Sequence, residues 1–354
     1  MGPKVLALYL PQFHRMKEND EWWGEGFTEW TNVRKATPLF KGHNQPRIPL
    51  NNNYYDLTNL DALRWQAKIA EEFNVYGFVF YHYWFGEKKL MEKPAELLLE
   101  NPDIRMKYCF SWANQSWARG WIGAVNDLLI EQRYISDEEI IAHFNYLLPF
   151  FKDERYIKVN NKPLFFLYIA KDIPKIENFI NIWNAKAREN GFEGVFFVET
   201  MNSYCTKKIS NLTNSSFFME PQYVTATQSK FQNIINHIKS FHPFTRNYRL
   251  SYDYVWKQLL RKEKCTNRVW GGAFVDWDNS PRKKRRNFII LKQDPKKFDF
   301  YFSKQYEHCK QNDVPFIIIN AWNEWGEGTY LEPDERNGWS YLETIKTVVD
   351  KSSR

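Results

Sequence analysis

No stretch of this 354-residue chain stays apolar long enough to cross a bilayer, and the mean hydropathy is −0.62, which excludes a spanning helix. Cysteine is scarce: Cys109, Cys205, Cys265 and Cys309 lie far apart with no CxxC pair, so no thiolate metal motif is present. Cys109 sits inside an apolar run, where a buried free thiol is the ordinary expectation. Neither His14 nor His82 has an HxH or HExxH partner, so neither reads as a metal ligand. A glycine-rich phosphate loop is also missing, which argues against a doubly wound nucleotide-sugar transferase. No apolar leader follows Met1, and together with unpaired cysteines this makes a reducing cytoplasm the expected setting. The net charge of +7 is modest and no nucleic-acid motif accompanies it, so nucleic acid is not an expected partner. Its densest part, Arg282-Lys283-Lys284-Arg285-Arg286, reads first as a solvated loop and second as a patch for an anionic glycan or membrane surface. No feature sets an oligomeric state.

Aromatics are abundant instead: 15 Trp, 20 Tyr and 28 Phe make up 18% of the chain. Phe and Tyr are at home in buried strands, but many of the tryptophans stand beside charged residues and glycine.

Eight short runs rich in β-branched or aromatic residues read as buried strands: Lys4–Phe13, Val75–Trp84, Arg105–Ala113, Pro163–Ile169, Gly194–Thr200, Ser215–Glu220, Val269–Trp277 and Pro315–Trp322. Helix-like stretches fall between them, including Leu60–Phe73, Asp137–Phe151, Lys175–Glu189, Asn233–Ser240 and Lys297–Asn312. Alternating units, eight strands and no dividing linker predict one α/β domain over residues 1–354, a (β/α)8 TIM barrel. A long insertion at about 222–268, after strand six, is expected to carry extra helices over one face.

In such barrels the site forms at the C-terminal ends of the strands. The candidates there are Tyr9, Gln12 and His14, followed by Trp23, Glu25, Glu29 and Trp30, then His82, Trp84, Trp112, Asn114 and Trp117. Later strand ends add Glu199, Glu220, Asp276, Asp278, Trp322 and Asn323, with Glu324 and Glu327 just beyond. Trp23, Trp84, Trp112 and Trp322 are expected to line the cleft. Flat rings stack on sugar C–H faces and carboxylates hold hydroxyls, so the ligand expected is an oligo- or polysaccharide.

Glycosidic cleavage uses two carboxyl groups, one giving a proton and one acting as base or nucleophile. Glu324 and Glu327 are three apart on a glycine-flanked turn, so both can reach one pocket. The competing reading has either Glu capping a helix or pairing with Arg336. Asp276 and Asp278 form a DxD pattern that holds a metal in some transferases, though such triplets are common by chance; no metal or cofactor is expected. The string Trp-Gly-Glu-Gly occurs at Trp23–Gly26 and again at Trp325–Gly328, on strands that a closed barrel makes neighbours.

Leu8-Tyr9-Leu10-Pro11-Gln12-Phe13-His14, the block Trp23 to Val33 and Asn320 to Thr329 together resemble WbsX-type proteins of bacterial polysaccharide gene clusters. Those proteins carry a glycosyltransferase label and are similar to the family 99 glycoside hydrolases. The resemblance implies a (β/α)8 fold, no metal, and retaining, endo-acting cleavage of α-linked glycans, on mannosides in the hydrolases. It also implies that Glu324 deprotonates the sugar 2-hydroxyl, giving a 1,2-anhydro intermediate, and that Glu327 is general acid and then base. Gly326 departs from the pattern, since the hydrolases usually carry His there. A glycosyl transferase or transglycosidase of polysaccharide assembly and an inactive glycan-binding barrel are the two other readings.

Overall fold

The structure is a computed structural model that describes residues 2–86, 88–118, 128–134, 136–228, 247–262, 264–283 and 286–353. All eight apolar runs form strands, shorter at their ends than expected: β1 Lys4–Tyr9, β2 Gly77–Phe85, β3 Tyr108–Trp112, β4 Lys162–Leu167, β5 Phe196–Met201, β6 Ser215–Phe218, β7 and β8 Phe316–Asn320. β7 is interrupted at Gly271 into Val269–Trp270 and Gly272–Phe274. Its first piece pairs with β6 and its second with β8, while β8 pairs with β1, all in parallel. The ring therefore closes through the broken strand, as the expected barrel requires. A Cβ at Gly272 would run into the Phe218 carbonyl, so the seam between β6 and β7 needs glycine. Every residue of β8 is buried, as befits a strand covered on both faces.

The surrounding helices are α1 Lys17–Trp23, α2 Glu29–Lys35, α3 Leu60–Glu72, α4 Lys93–Glu100, α5 Asp137–Lys152, α6 Ile176–Glu189, α7 Gln222–Ala226, α8 Tyr252–Lys262, α9 Pro295–Gln311 and α10 Ser340–Ser353. Local chemistry explains where they start. Ser136 accepts a hydrogen bond from the Glu139 amide ahead of three acidic residues, and Asp294 caps α9 just before Pro295. The inner face of α3 follows helical spacing, burying Ala62, Leu63, Gln66, Ala67, Ile69 and Ala70.

The connection after β6 carries α7, a strand Tyr248–Ser251 and α8; the strand pairs in parallel with Phe288–Leu291, apart from the barrel sheet. The helix expected at Asn233–Ser240 lies outside the described residues. Among the described residues no helix is long and apolar enough to cross a membrane. All four cysteines are free and buried.

Candidate active site

Past β8 the chain forms a small hairpin in which Asn323–Glu324 pairs antiparallel with Thr329–Tyr330, and Trp325–Glu327 makes a single 3₁₀ turn at its tip. Three attachments hold this tip. Asn323 zips it to the end of β1, accepting from the Leu10 amide at 2.8 Å and donating to the Leu10 carbonyl at 3.0 Å. Trp325 lies beneath, stacked on Tyr330 at 3.7 Å between centroids, and its indole donates to Glu332 at 2.7 Å. The Asp278 amide donates to the Glu327 carbonyl at 2.7 Å, tying in the end of β7. Glu324 and Glu327 are thus presented by a braced backbone.

Both carboxylates meet Arg282. Its guanidinium lies 2.8 Å from Glu324, 3.0 Å from Glu327 and 2.6 Å from Glu29, with side-chain exposures of 12% for Arg282 and 8%, 14% and 3% for the three acids. Glu29 opens α2, which packs against the Trp325–Glu327 turn; the first Trp-Gly-Glu-Gly string lies ahead of α2, with Trp23 on the cleft and Glu25 turned to solvent. Burial pushes the Glu324 carboxyl up to about 8, opposed by Arg282 and reinforced by Glu327 and Glu29. Burial also raises Glu327, again against the pull of Arg282.

These groups form one side of a cleft of about 370 Å³ at the C-terminal ends of the strands. Gln12, Trp23, Glu29, Trp117, Glu324 and Glu327 from the expected set line it. Tyr81, Tyr83, Tyr168, Tyr204 and Arg282 line it as well; Tyr83 stands at the end of the second apolar run, where the sequence placed the site, while Tyr81, Tyr168 and Tyr204 were not expected there.

The other expected residues stand elsewhere, and strand parity explains several of them. Successive side chains of a strand face opposite ways. Tyr81 and Tyr83 of β2 face the cleft, so His82 and Trp84 face the helices. His82 meets His143 of α5 at 2.8 Å between Nε2 atoms, and Trp84 stacks on His143 at 4.7 Å. Burial carries His82 down to about 3, leaving it a neutral packing group. Trp112 stacks on Phe179 of α6, and Trp322 is fully buried against Phe78, so both belong to the core and not to the cleft wall.

Asn114 zips to Ile169 with one bond to the amide and one to the carbonyl, each 2.9 Å, the same device as Asn323. Tyr9 donates to Gln66, Trp30 donates to the Tyr55 carbonyl, and His14 is buried. Glu25 is exposed, 3.7 Å from Arg15. Glu199 accepts from the Ile209 and Ser210 amides and the Thr213 hydroxyl, and so shapes the loop after β5. Glu220 accepts from the Val224 amide in α7.

The DxD pair is engaged by protein groups. Asp276 is 2.7 Å from Arg47; Asp278 accepts from Gln45 at 2.7 Å and lies 2.8 Å from His43. Burial drives Asp276 up to about 6 despite Arg47. Burial acts on Asp278 the same way, yet the bond to His43 and the charge of Arg47 carry it down to about 2. Among the described residues no group of three His, Cys, Asp or Glu side chains is placed to hold a metal ion.

Arg282 corrects the reading of the basic run as a solvated loop: it is turned inward by three acids, while residues 284 and 285 fall outside the described residues.

A closed parallel barrel with a carboxylate- and tyrosine-lined cleft at its C-terminal rim is the architecture defined so far. The family model described as Glycosyltransferase WbsX matches residues 5–345, and the chain belongs to that family. The WxcX proteins from two strains of Xanthomonas campestris pv. campestris are 32% and 31% identical to it across 98% of its length. The chain spans about half the length of these relatives, 50% in each case. Among solved structures, the GH99 endo-alpha-mannosidase from Bacteroides thetaiotaomicron superposes with a TM-score of 0.56 at 13% identity, covering 98% of this chain and 97% of that one. A glycoside hydrolase-like protein gives 0.61 at 14% identity, covering 98% and 94%. At these identities the likeness is one of fold.

Proposed function

We propose that this chain cleaves α-glycosidic bonds within a bacterial surface polysaccharide with retention of configuration, using Glu324 and Glu327. The observation that carries the reading is that a buried carboxyl, Glu324, and a half-buried one, Glu327, on one braced hairpin tip reach the same guanidinium at the side of an aromatic cleft. Acid–base work needs one group that gives a proton and one that takes it. Burial raises both and keeps a proton on the pair near neutral pH, and because Glu324 is the member raised to about 8, its role as base requires that shared proton to stand on Glu327 when the sugar binds.

In the first step Glu324 takes the proton of the sugar 2-hydroxyl and O2 forms a bond to C1. The bond from C1 to the departing oxygen breaks, and Glu327 protonates that oxygen. In the second step Glu327, now ionised, takes a proton from water as the water oxygen bonds to C1. The C1–O2 bond of the anhydro ring opens and O2 recovers its proton from Glu324. Two inversions at C1 give net retention. Trp23 and Trp117 supply ring faces for neighbouring sugars, and Gln12 and Glu29 supply polar contacts.

The family description favours a second reading, in which a sugar hydroxyl replaces water and the product is a transferred glycan. One experiment separates them. Purified protein is incubated with the source bacterium's polysaccharide, with and without sugar nucleotides and with and without EDTA. Shortened chains formed without nucleotide and in EDTA are the expected result. Products that need a sugar nucleotide, or activity lost to EDTA and restored by manganese, would reject hydrolysis at the glutamate pair.

A further inference from the structure

Gly326 lies between the two glutamates, and a Cβ there would collide with the Glu29 carboxylate and come within 2.8 Å of the Arg282 Nε. The glycine therefore leaves open the volume that the Glu29–Arg282 pair fills. Glu29 is almost fully buried and takes the Nε edge of the guanidinium at 2.6 Å, which turns both terminal nitrogens toward Glu324 and Glu327. Three separate parts of the sequence are needed to build this: the start of α2, the first residue of the basic run, and the glycine of the hairpin tip.

We propose that Arg282, anchored by Glu29 in the space left by Gly326, is a positioning residue that fixes the separation of the Glu324 and Glu327 carboxyls and limits the pair to one proton. The inference rests on the glycosidase reading for its purpose, and on the geometry alone for its content.

The charge balance around the pair explains why one guanidinium matters. The titratable groups facing it are Glu29 from α2, Tyr81 and Tyr83 from β2, Tyr168 beyond β4, and Arg282 and Lys283 from the loop after β7. Tyr81 and Tyr83 are buried, Tyr168 is half-buried and all three are held neutral, so among the described residues the charges facing the pair are Glu29, Arg282 and Lys283. Three ionised carboxylates on one cation leave a buried excess of negative charge, which a single proton relieves. Without the cation both members of the pair would bind protons more tightly, which works against keeping one of them ionised as a base for the sugar hydroxyl. An opposite charge within about 4–6 Å lowers a carboxyl pKa by roughly one to three units, so this is the size of shift the guanidinium supplies.

The test reads protonation directly and uses no substrate. The full chain is labelled with ¹³C at glutamate δ-carbons, and its carboxyl resonances are followed across pH. The pair is assigned by the signals lost in Glu324→Gln and Glu327→Gln. In Arg282→Met the midpoints of the pair should rise by roughly one to three pH units. Arg282→Lys keeps the charge but cannot reach three acids at once, and should rise by less. Gly326→Ala leaves every charge in place, displaces Glu29 and Arg282, and should shift the pair upward as well. Thermal melts report whether each variant is folded. If Arg282→Met does not fold, Gly326→Ala and Arg282→Lys carry the test. Midpoints unchanged from the parent in the folded variants would overturn the inference. Because no glycan enters the titration, an inactive but normally titrating protein would reject the glycosidase reading and leave the role of Arg282 standing.

Discussion

Arg47→Met tests how the C-terminal rim of the barrel is braced. Arg47 is buried, 2.7 Å from Asp276 and 3.9 Å from Asp278, and donates to the Gly328 carbonyl at 2.9 Å. Methionine fills much of the same volume but leaves the carboxylates at the end of β7 without their cation. Breaking a buried pair by removing one partner costs about 3–5 kcal/mol. With an unfolding entropy of about 2.1 cal/mol/K per residue, 354 residues give about 0.74 kcal/mol/K, so Tm should fall by roughly 4–7 °C. The sign of its pH dependence follows from Asp276. Its carboxyl stands at about 6 even with Arg47 beside it, and without the cation it takes up a proton more readily still. Below pH 6 parent and variant both carry the proton and no charge is stranded, whereas at pH 8 the variant must either bury an unpaired carboxylate or hold a proton against the solution, and each costs stability the parent keeps. The Tm deficit relative to the parent should therefore be larger at pH 8 than at pH 5, and Asp276→Asn added to Arg47→Met should recover part of it. Scanning calorimetry at both pH values is the assay. A variant as stable as its parent at pH 8, or a deficit that grows as pH falls, would refute the idea that Arg47 neutralises these acids.

Glu332 offers a second pH signature, because burial pushes it from an ordinary 4.5 up to about 7 while Trp325, Gln66 and Tyr55 hold it back. Its folded proton affinity exceeds the unfolded one, so stability present below pH 4.5 is lost as pH rises through 7, by on the order of 3 kcal/mol. Glu332→Gln should accordingly flatten the fall of Tm between pH 5 and 8, and an unchanged slope would remove Glu332 from the account. Trp117→Ala and Trp23→Ala should each weaken binding of the polysaccharide several-fold, as lost ring stacking of about 0.5–1.5 kcal/mol implies, with little change in Tm. Isothermal titration reads this, and equal affinity in both variants would mean the sugar lies elsewhere in the cleft. Trp112→Ala, taken from the core, should instead lower stability by about 3–5 kcal/mol, which a denaturant titration measures.

The barrel was legible because parallel strands covered on both faces are written as continuous apolar runs, and all eight runs became strands. What the runs concealed was parity. His82, Trp84 and Trp112 were chosen for standing at strand ends, but Tyr81 and Tyr83 take the inward positions of β2, and alternation counted back from the strand end would have found them. Five consecutive basic residues read as solvated because nothing local separates Arg282 from its neighbours; its partner Glu29 stands 253 positions away. The same distance in sequence hid the partners of the DxD pair, since His43 and Asp278 are 235 residues apart. The hairpin with Glu324 and Glu327 was legible because two acids, two glycines and a tryptophan follow a strand with no helical periodicity to absorb them.

The central claim is that Glu324 and Glu327 divide the acid–base work of glycosidic cleavage, and the most direct measurement compares their glutamine variants on two substrates. One is the natural polysaccharide; the other is an aryl glycoside of the sugar found at its cleavage point, with an acidic phenol as leaving group. Glu327→Gln should abolish cleavage of the polysaccharide, whose leaving oxygen needs a proton, yet keep much of the activity on the aryl glycoside, whose phenolate does not. Glu324→Gln should lose roughly 10²–10⁴-fold on both, because the 2-hydroxyl must be deprotonated whatever departs. Parent-like rates for both variants on both substrates would contradict the account and move the chemistry away from this hairpin.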